Sequence, residues 1–354
     1  MKIMIMAGGT GGHVYPALAV AQELKSRGHD ICWMGAPDSF ESRVVPAAGF
    51  PLELIRVSGL RGKGVLTLLM APLRVLRAMA QAWGAFARRA PDAVLGMGGF
   101  AAGPGGLVAR LRGLPLVIHE QNAAAGLTNR ALAAITSHVL EAFPHTFRNA
   151  IAVGNPVRAA IRAVPEPSAR FAGRSGAACL LVVGGSQGAK ALNERMAAAI
   201  ALLPREQQPL IRHQGGRTAE VARAAYAHAR VLASVEPFIE DMAEALRWAD
   251  LVVCRAGAST IAELAAAGCA SVLVPFPAAV DDHQTRNASY LVRANAAELL
   301  AERDFTAERM AALLRPLLSN RTRLLAMAQA ARTQAWIGAE KKIADAVVEA
   351  GRHG

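Results

Sequence analysis

Apolar runs of strand length recur along this chain, and several of them end in glycine. Residues 2–7 form the first run, and Gly8-Gly9-Thr10-Gly11-Gly12-His13 follows it. The stretch 14–24 then carries its apolar residues at helical spacing. Strand, glycine turn and helix are therefore predicted in that order. The same order returns about half a chain later, with an apolar run at 178–183, the turn Gly184-Gly185-Ser186-Gln187-Gly188-Ala189-Lys190, and a helical register over 191–196. Further strands are predicted at 30–35, 51–57, 91–97, 116–118, 139–143, 151–153, 211–214, 235–239, 250–254 and 270–277. Helices are predicted at 107–111, 126–132, 240–246, 306–318 and 321–350, with others opening near Thr260 and 281–288. Strands alternating with helices point to an α/β protein. The duplicated start points to two Rossmann-like doubly wound parallel-sheet domains facing each other across a cleft. The Pro- and Gly-rich stretch 157–175 is the expected interdomain linker.

One stretch departs from this alternation. Residues 65–83 read as a helix that is apolar nearly all round, with Arg61, Lys63, Arg74, Arg77, Arg88 and Arg89 at its margins. Such a helix is either buried or faces lipid, and basic residues beside apolar ones suit an anionic leaflet. No stretch reads as a membrane span. The N-terminal apolar run is cut by its glycines and Pro16, and 93–109 and 264–280 are interrupted by Gly or Pro. The expected location is the cytosol or a membrane surface facing it.

Composition narrows the picture. A chain of 354 residues makes one large or two ordinary domains. Hydrophobic residues make up 53%, enough for two cores, and aromatics only 5%, too few for base-stacking platforms. The four cysteines form no CxxC pair and read as reduced, mostly buried thiols of a cytosolic protein. The net charge of +12 is lopsided: residues 1–160 hold 16 Lys and Arg against 8 Asp and Glu, so an anionic partner is expected. No helix-turn-helix, zinc or aromatic signature accompanies that charge, which argues against nucleic acid.

The chemistry begins at the first turn. Glycine lets a ligand approach the backbone, and a helix N-terminus favours anions and partly negative oxygens. A dinucleotide fingerprint would need a small residue where Val14 stands and an acid at the end of the second strand, where Met34-Gly35 stands. The turn reads instead as a sugar or phosphate cradle. Ligands of open α/β sheets bind beyond the carboxyl ends of the strands. Thr10, His13, the glycine-rich turn 98–106 and His119-Glu120-Gln121-Asn122 are thus expected around one pocket. In the second half, Thr260-x-x-Glu263 fits a capping box. It equally fits a helix N-terminus holding a pyrophosphate, with Glu263 accepting from ribose hydroxyls. No Asp-x-Asp pair occurs, and Asp281-Asp282 is adjacent, so no metal is expected.

Six motifs stand in order along the chain: Gly8-Gly9-Thr10-Gly11-Gly12-His13, Met97-Gly98-Gly99-Phe100, His119-Glu120-Gln121-Asn122, Gly154-Asn155-Pro156-Val157-Arg158, Gly184-Gly185-Ser186-Gln187-Gly188 and Arg255-Ala256-Gly257-Ala258-Ser259-Thr260. Together they closely resemble the MurG family of bacterial N-acetylglucosaminyltransferases, over nearly the whole chain. The resemblance implies the GT-B architecture. It implies inverting transfer of GlcNAc from UDP-GlcNAc to the MurNAc 4-hydroxyl of undecaprenyl-pyrophosphoryl-MurNAc-pentapeptide (lipid I), making lipid II for peptidoglycan, with no cofactor. It implies an acceptor and membrane domain over 1–158, a UDP-GlcNAc domain over 159–335, and a last helix from about 336 that returns to the first domain. It implies work on the cytoplasmic face of the inner membrane, beside other cell-wall synthesis proteins, and it favours the lipid-facing reading of 65–83. Carried over by position, donor contacts fall on Arg158, Ser186, Ile239, Ala258, Ser259, Thr260, Ile261, Ala262, Glu263 and Gln284. Thr10, Gly11, Gly12 and Asn122 are implied across the cleft. The family often has two glutamines where this chain has His283-Gln284, which leaves the role of His283 open.

An inverting transfer needs a base on the acceptor hydroxyl and a stabilised leaving diphosphate. His13 suits the base at neutral pH, and His119 and Glu120 are the alternatives. The turn 184–188, the helix opening near Thr260, and Arg158 suit the diphosphate. Rival readings are another GT-B enzyme, such as a glycolipid glycosyltransferase or a UDP-GlcNAc epimerase, and a non-enzymatic nucleotide-sugar sensor. An epimerase needs no acceptor and no helix like 65–83, and a sensor needs no polar tetrad at 119–122.

Overall fold

A computed structural model describes residues 1–57, 70–279 and 282–353. It divides the chain into two compact units, Met1–Pro156 with Gly338–Gly354, and Val157–Ile337. The first unit holds β1 (Lys2–Met6), β2 (Asp30–Gly35), β3 (Leu52–Leu54), β4 (Ala93–Gly96), β5 (Leu116–Glu120), β6 (His138–Glu141) and β7 (Ile151–Ala152). They form one parallel sheet in the order β3-β2-β1-β4-β5-β6-β7, with Ile5 paired to both Trp33 and Leu95. A parallel sheet covered on both faces needs strands apolar on both sides, which is why β1 reads as a continuous run. On one face Val14, Val20 and Leu24 of the helix Gly11–Ser26 pack with Ile3, Ile5, Ile343 and Val347. On the other, Met4, Met6 and Met34 pack with Ala82, Phe86, Val108 and Leu132.

The second unit repeats the plan with β8 (Cys179–Val183), β9 (Leu210–Gln214), β10 (Ser234–Glu236), β11 (Leu251–Cys254), β12 (Ser271–Leu273) and β13 (Ala297–Leu299). Their order is β10-β9-β8-β11-β12-β13, again parallel. In each sheet the strand order reverses beside the first strand, between β1 and β4 and between β8 and β11. That is where a doubly wound sheet opens a crevice for ligand.

Several expectations are corrected. The turn predicted at 98–106 is half helix, because Ala102–Leu111 is helical. Gly105 and Gly106 serve packing there: a Cβ on Gly105 would lie 2.3 Å from Met6 Sδ, and one on Gly106 2.6 Å from Leu132 Cδ2. The stretch 157–175 is not a loose linker. It carries the short helices Ala159–Arg162 and Pro167–Phe171, and the buried Arg170 donates to the carbonyls of Leu246, Ala249, Ala267 and Gly268. The helix predicted over 321–350 is two, Arg321–Thr333 and Ala339–His353.

The helix predicted over 65–83 is found at Ala71–Arg89, and it is one-sided. Ala78, Ala82, Ala85 and Phe86 are buried, whereas Leu73 and Leu76 are 60% and 61% exposed beside the exposed Arg74 and Arg77. Arg61, Lys63 and the rest of 58–69 lie outside the described residues, as does Asp281.

Candidate active site

In the first unit, the helix Gly11–Ser26 starts directly from the turn after β1, with exposed Thr10 as its N-cap. The Thr10 carbonyl accepts from the His13 and Val14 amides, so His13 sits in the first helical turn. Its half-buried ring places Nδ1 3.0 Å from Gln121 Oε1. The turn after β4 closes against this one. The Gly8 amide donates to the Gly98 carbonyl at 3.3 Å. Gly98 and Gly99 have φ of 87° and 88°, and a Cβ would lie 2.9 Å from His13 Nδ1 at the first and 2.4 Å from the Gly8 oxygen at the second. Only glycine meets both the positive φ and the close approach.

Beneath the first turn lies Glu41, 2% exposed, which accepts from the Gly9 amide at 3.0 Å and the Ala36 amide at 3.1 Å. Sequence reasoning missed it. It is a single glutamate on a short helix after β2, and only the folded chain brings it under a glycine 32 positions earlier.

The tetrad 119–122 divides by depth. His119 and Glu120 belong to β5 and are buried, not on a loop. Glu120 accepts from the Asn122 amide and side chain through Oε1, and from the Gly126 amide and Asn129 Nδ2 through Oε2. Four protein donors saturate it and fix the loop that carries Asn122. His119 Nε2 lies 2.9 Å from the Gly154 carbonyl, to which it donates. Burial pushes its pKa down to about 4, so it is neutral at pH 7. Gln121 is 1% exposed, and half-buried Asn122 stands at the surface end of the tetrad. His13, with Thr10, Gly11 and Gly12 beside it, is the base candidate that reaches solvent.

In the second unit the turn after β8 leads into the helix Lys190–Ala201, and Ser186 at its tip is exposed. Gly188 (φ 84°) lies so near the loop after β9 that a Cβ would meet Thr218 Oγ1 at 2.4 Å and the Gly215 oxygen at 2.7 Å. Asn193 Nδ2 ties that loop down through the Gly215 carbonyl and Thr218. Asn193 Oδ1 meets His213 Nε2 at 3.0 Å, and His213 Nδ1 meets the Tyr226 hydroxyl at 3.1 Å. Burial holds the His213 pKa down to about 4.

The helix after β11 runs Ala258–Ala267 with Gly257 as its N-cap. Of the two readings of Thr260 and Glu263, the capping box is ruled out: Thr260 lies inside the first turn and Glu263 one turn further on. Burial raises the Glu263 carboxyl pKa, opposed by the Arg158 guanidinium, which donates Nε and Nη2 to Oε1 at 3.2 and 2.9 Å. Ala258 and Ile261 are buried, Ser259 and Ala262 half-buried. The buried Ser259 Oγ has no protein partner. Gln284 Oε1 accepts from the Ala256 and Phe276 amides, joining the ends of two strands, and His283 opens the next helix. Buried Ile239 donates its amide to Gln214 Oε1.

Twin doubly wound units, each with a glycine turn at its switch point, define the GT-B fold. The chain belongs to glycosyltransferase family 28: residues 3–141 match the family's N-terminal domain and 179–348 its C-terminal domain. Among its relatives is a UDP-N-acetylglucosamine–N-acetylmuramyl-(pentapeptide) pyrophosphoryl-undecaprenol N-acetylglucosamine transferase of Xanthomonas euvesicatoria. It is 56% identical over 98% of this chain and 80% of its own length. The transferase of the same name from Marinobacter nauticus is 52% identical over 99% of this chain and 97% of its own. The crystal structure of Acinetobacter baumannii MurG matches with a TM-score of 0.89 at 42% identity, over 98% of this chain and 99% of that one. The calicheamicin glycosyltransferase CalG4, at 18% identity and TM-score 0.68 over 99% and 98%, shares the fold.

Proposed function

We propose that this chain transfers GlcNAc from UDP-GlcNAc to the MurNAc 4-hydroxyl of undecaprenyl-pyrophosphoryl-MurNAc-pentapeptide, with inversion at the anomeric carbon, in peptidoglycan synthesis. The observation that carries this reading is the near-full-length identity to transferases named for that activity. The following roles are proposed on the geometry of the two turns. His13 accepts the proton of the acceptor hydroxyl as its oxygen attacks the anomeric carbon from the face opposite UDP. His119 and Glu120 act behind it, holding the 119–122 segment and Asn122. The leaving diphosphate meets amide donors of the turn 184–188 with Ser186 and of the helix starting at Ala258. Glu263 accepts from ribose hydroxyls, and the Arg158 guanidinium beside it opposes the rise that burial causes in its pKa. Ile239, Thr260 and Gln284 shape the rest of the donor site, and Thr10, Gly11, Gly12 and Asn122 contact the donor from the first unit.

The first unit is proposed to take the acceptor and rest on the cytoplasmic face of the inner membrane. Met70, Leu73, Leu76 and Trp83, exposed beside Arg74 and Arg77, support contact with an anionic leaflet. Each basic residue near such a surface contributes about 1 kcal/mol. No helix among the described residues is long and apolar enough to cross a membrane.

The deciding experiment measures UDP release from UDP-GlcNAc in detergent with EDTA, with and without the lipid-linked acceptor. Release that requires acceptor and survives chelation is expected. Release without acceptor would point to an epimerase or hydrolase, and donor binding without turnover to a sensor.

A further inference from the structure

The hydrogen bonds around His13 fix more than its position. Gln121 Nε2 lies 2.9 Å from the Met97 carbonyl oxygen, which can only accept. The amide of Gln121 is therefore oriented with NH2 toward Met97 and Oε1 toward His13. Oε1 is itself only an acceptor, so the His13 nitrogen 3.0 Å away must carry a hydrogen. A neutral imidazole has one N–H. With that hydrogen on Nδ1, the lone pair lies on Nε2. Gln121 is in turn held fast: it is 1% exposed, and its own carbonyl accepts from Asn155 Nδ2 at 2.9 Å. The turn after β4 leaves the ring its place only because residue 98 is glycine: a Cβ there would lie 2.9 Å from Nδ1.

We infer that Gln121 is a positioning residue that locks neutral His13 as the Nδ1–H tautomer and presents Nε2 as the proton acceptor. A base works only with its lone pair on the nitrogen that faces the substrate. A carboxylate does this job for histidine in hydrolytic triads. Here an uncharged amide does it, anchored on a backbone carbonyl. The inference rests on the proposed role of His13 for its catalytic meaning. The tautomer itself is a property of the resting protein.

The test separates the two. Full-length protein labelled with 15N-histidine is examined by long-range proton–nitrogen correlation at a pH where His13 is neutral, and the His13 signals are identified by their loss in His13→Asn. The expected spectrum shows His13 protonated on Nδ1. Protonation on Nε2 in the wild type overturns the inference with no variant needed. In Gln121→Leu the Nε2–H form is expected to appear, with kcat lower by about 10- to 100-fold and the KM for UDP-GlcNAc within about twofold of wild type. A Gln121→Leu enzyme with unchanged kcat overturns the positioning role. An Nδ1–H tautomer together with full activity in His13→Asn would leave the lock standing and remove the base reading instead.

Discussion

The turn after β1 and the turn after β8 leave the first strand of their sheets at the same place, yet different material backs them. Glu41 sits under the first, accepting from Gly9 and Ala36. Under the second lie a neighbouring loop, a buried amide and a neutral imidazole: Gly215, Asn193 and His213. A carboxylate beneath a turn consumes an amide donor and repels a phosphate. A turn backed by neutral groups keeps its donors for an anion. The same sequence device is thus specialised by what packs behind it. On the proposed reading the first, which holds a histidine, serves the sugar, and the second serves the diphosphate.

The sharpest way to break this comparison is kinetic. His13→Ala is expected to lower kcat by about 10²- to 10⁴-fold while UDP-GlcNAc affinity stays close to wild type, measured by steady-state kinetics and calorimetry. Loss of nucleotide binding with unchanged kcat would put the anion site in the wrong unit. Acid comes next. His119 in the first unit and His213 in the second titrate near 4 when folded and near 6.5 when unfolded. Between those values the unfolded chain binds more protons. Stability is therefore full above pH 6.5 and falls as pH drops toward 4, by about 3 kcal/mol for each histidine. Urea unfolding across that range measures the loss, and hydrogen exchange shows whether both units share it. The smallest effect contrasts two glycines of the second turn. Gly185→Ala has open space and is expected to cost about 1 kcal/mol for its positive φ. Gly188→Ala also meets Thr218 and Gly215, so it should raise the donor KM by about tenfold or more while Gly185→Ala changes it little. Equal effects would show that the packing behind the turn is not what shapes it.

The strands and both glycine turns were legible because each is a short apolar run closed by residues with special backbone freedom. Local pattern misjudged what tertiary packing decides. Thr260 and Glu263 have capping-box spacing, but the helix starts three residues earlier than that box requires because Gly257 takes the cap. His119 and Glu120 are expected from the sequence to line the pocket, yet they extend β5 and are buried, with His119 Nε2 donating to Gly154 and Glu120 accepting from Asn129. Glu41 carried no signal, because a lone glutamate in a helical stretch reads as solvated. Gln121 stood in a motif, but its partners Met97 and His13 lie 24 and 108 positions away.

The helix Ala339–His353 belongs to the core built by β1 and the helix after it, with Ile343, Ala344, Val347 and Val348 buried among Ile3, Val14 and Ala21. Translation therefore makes every strand of the second unit before the last helix of the first. Until then, that face of the first sheet has the helix Gly11–Ser26 but lacks the packing of Ile343, Ala344, Val347 and Val348. The unit begun first is thus the one completed last.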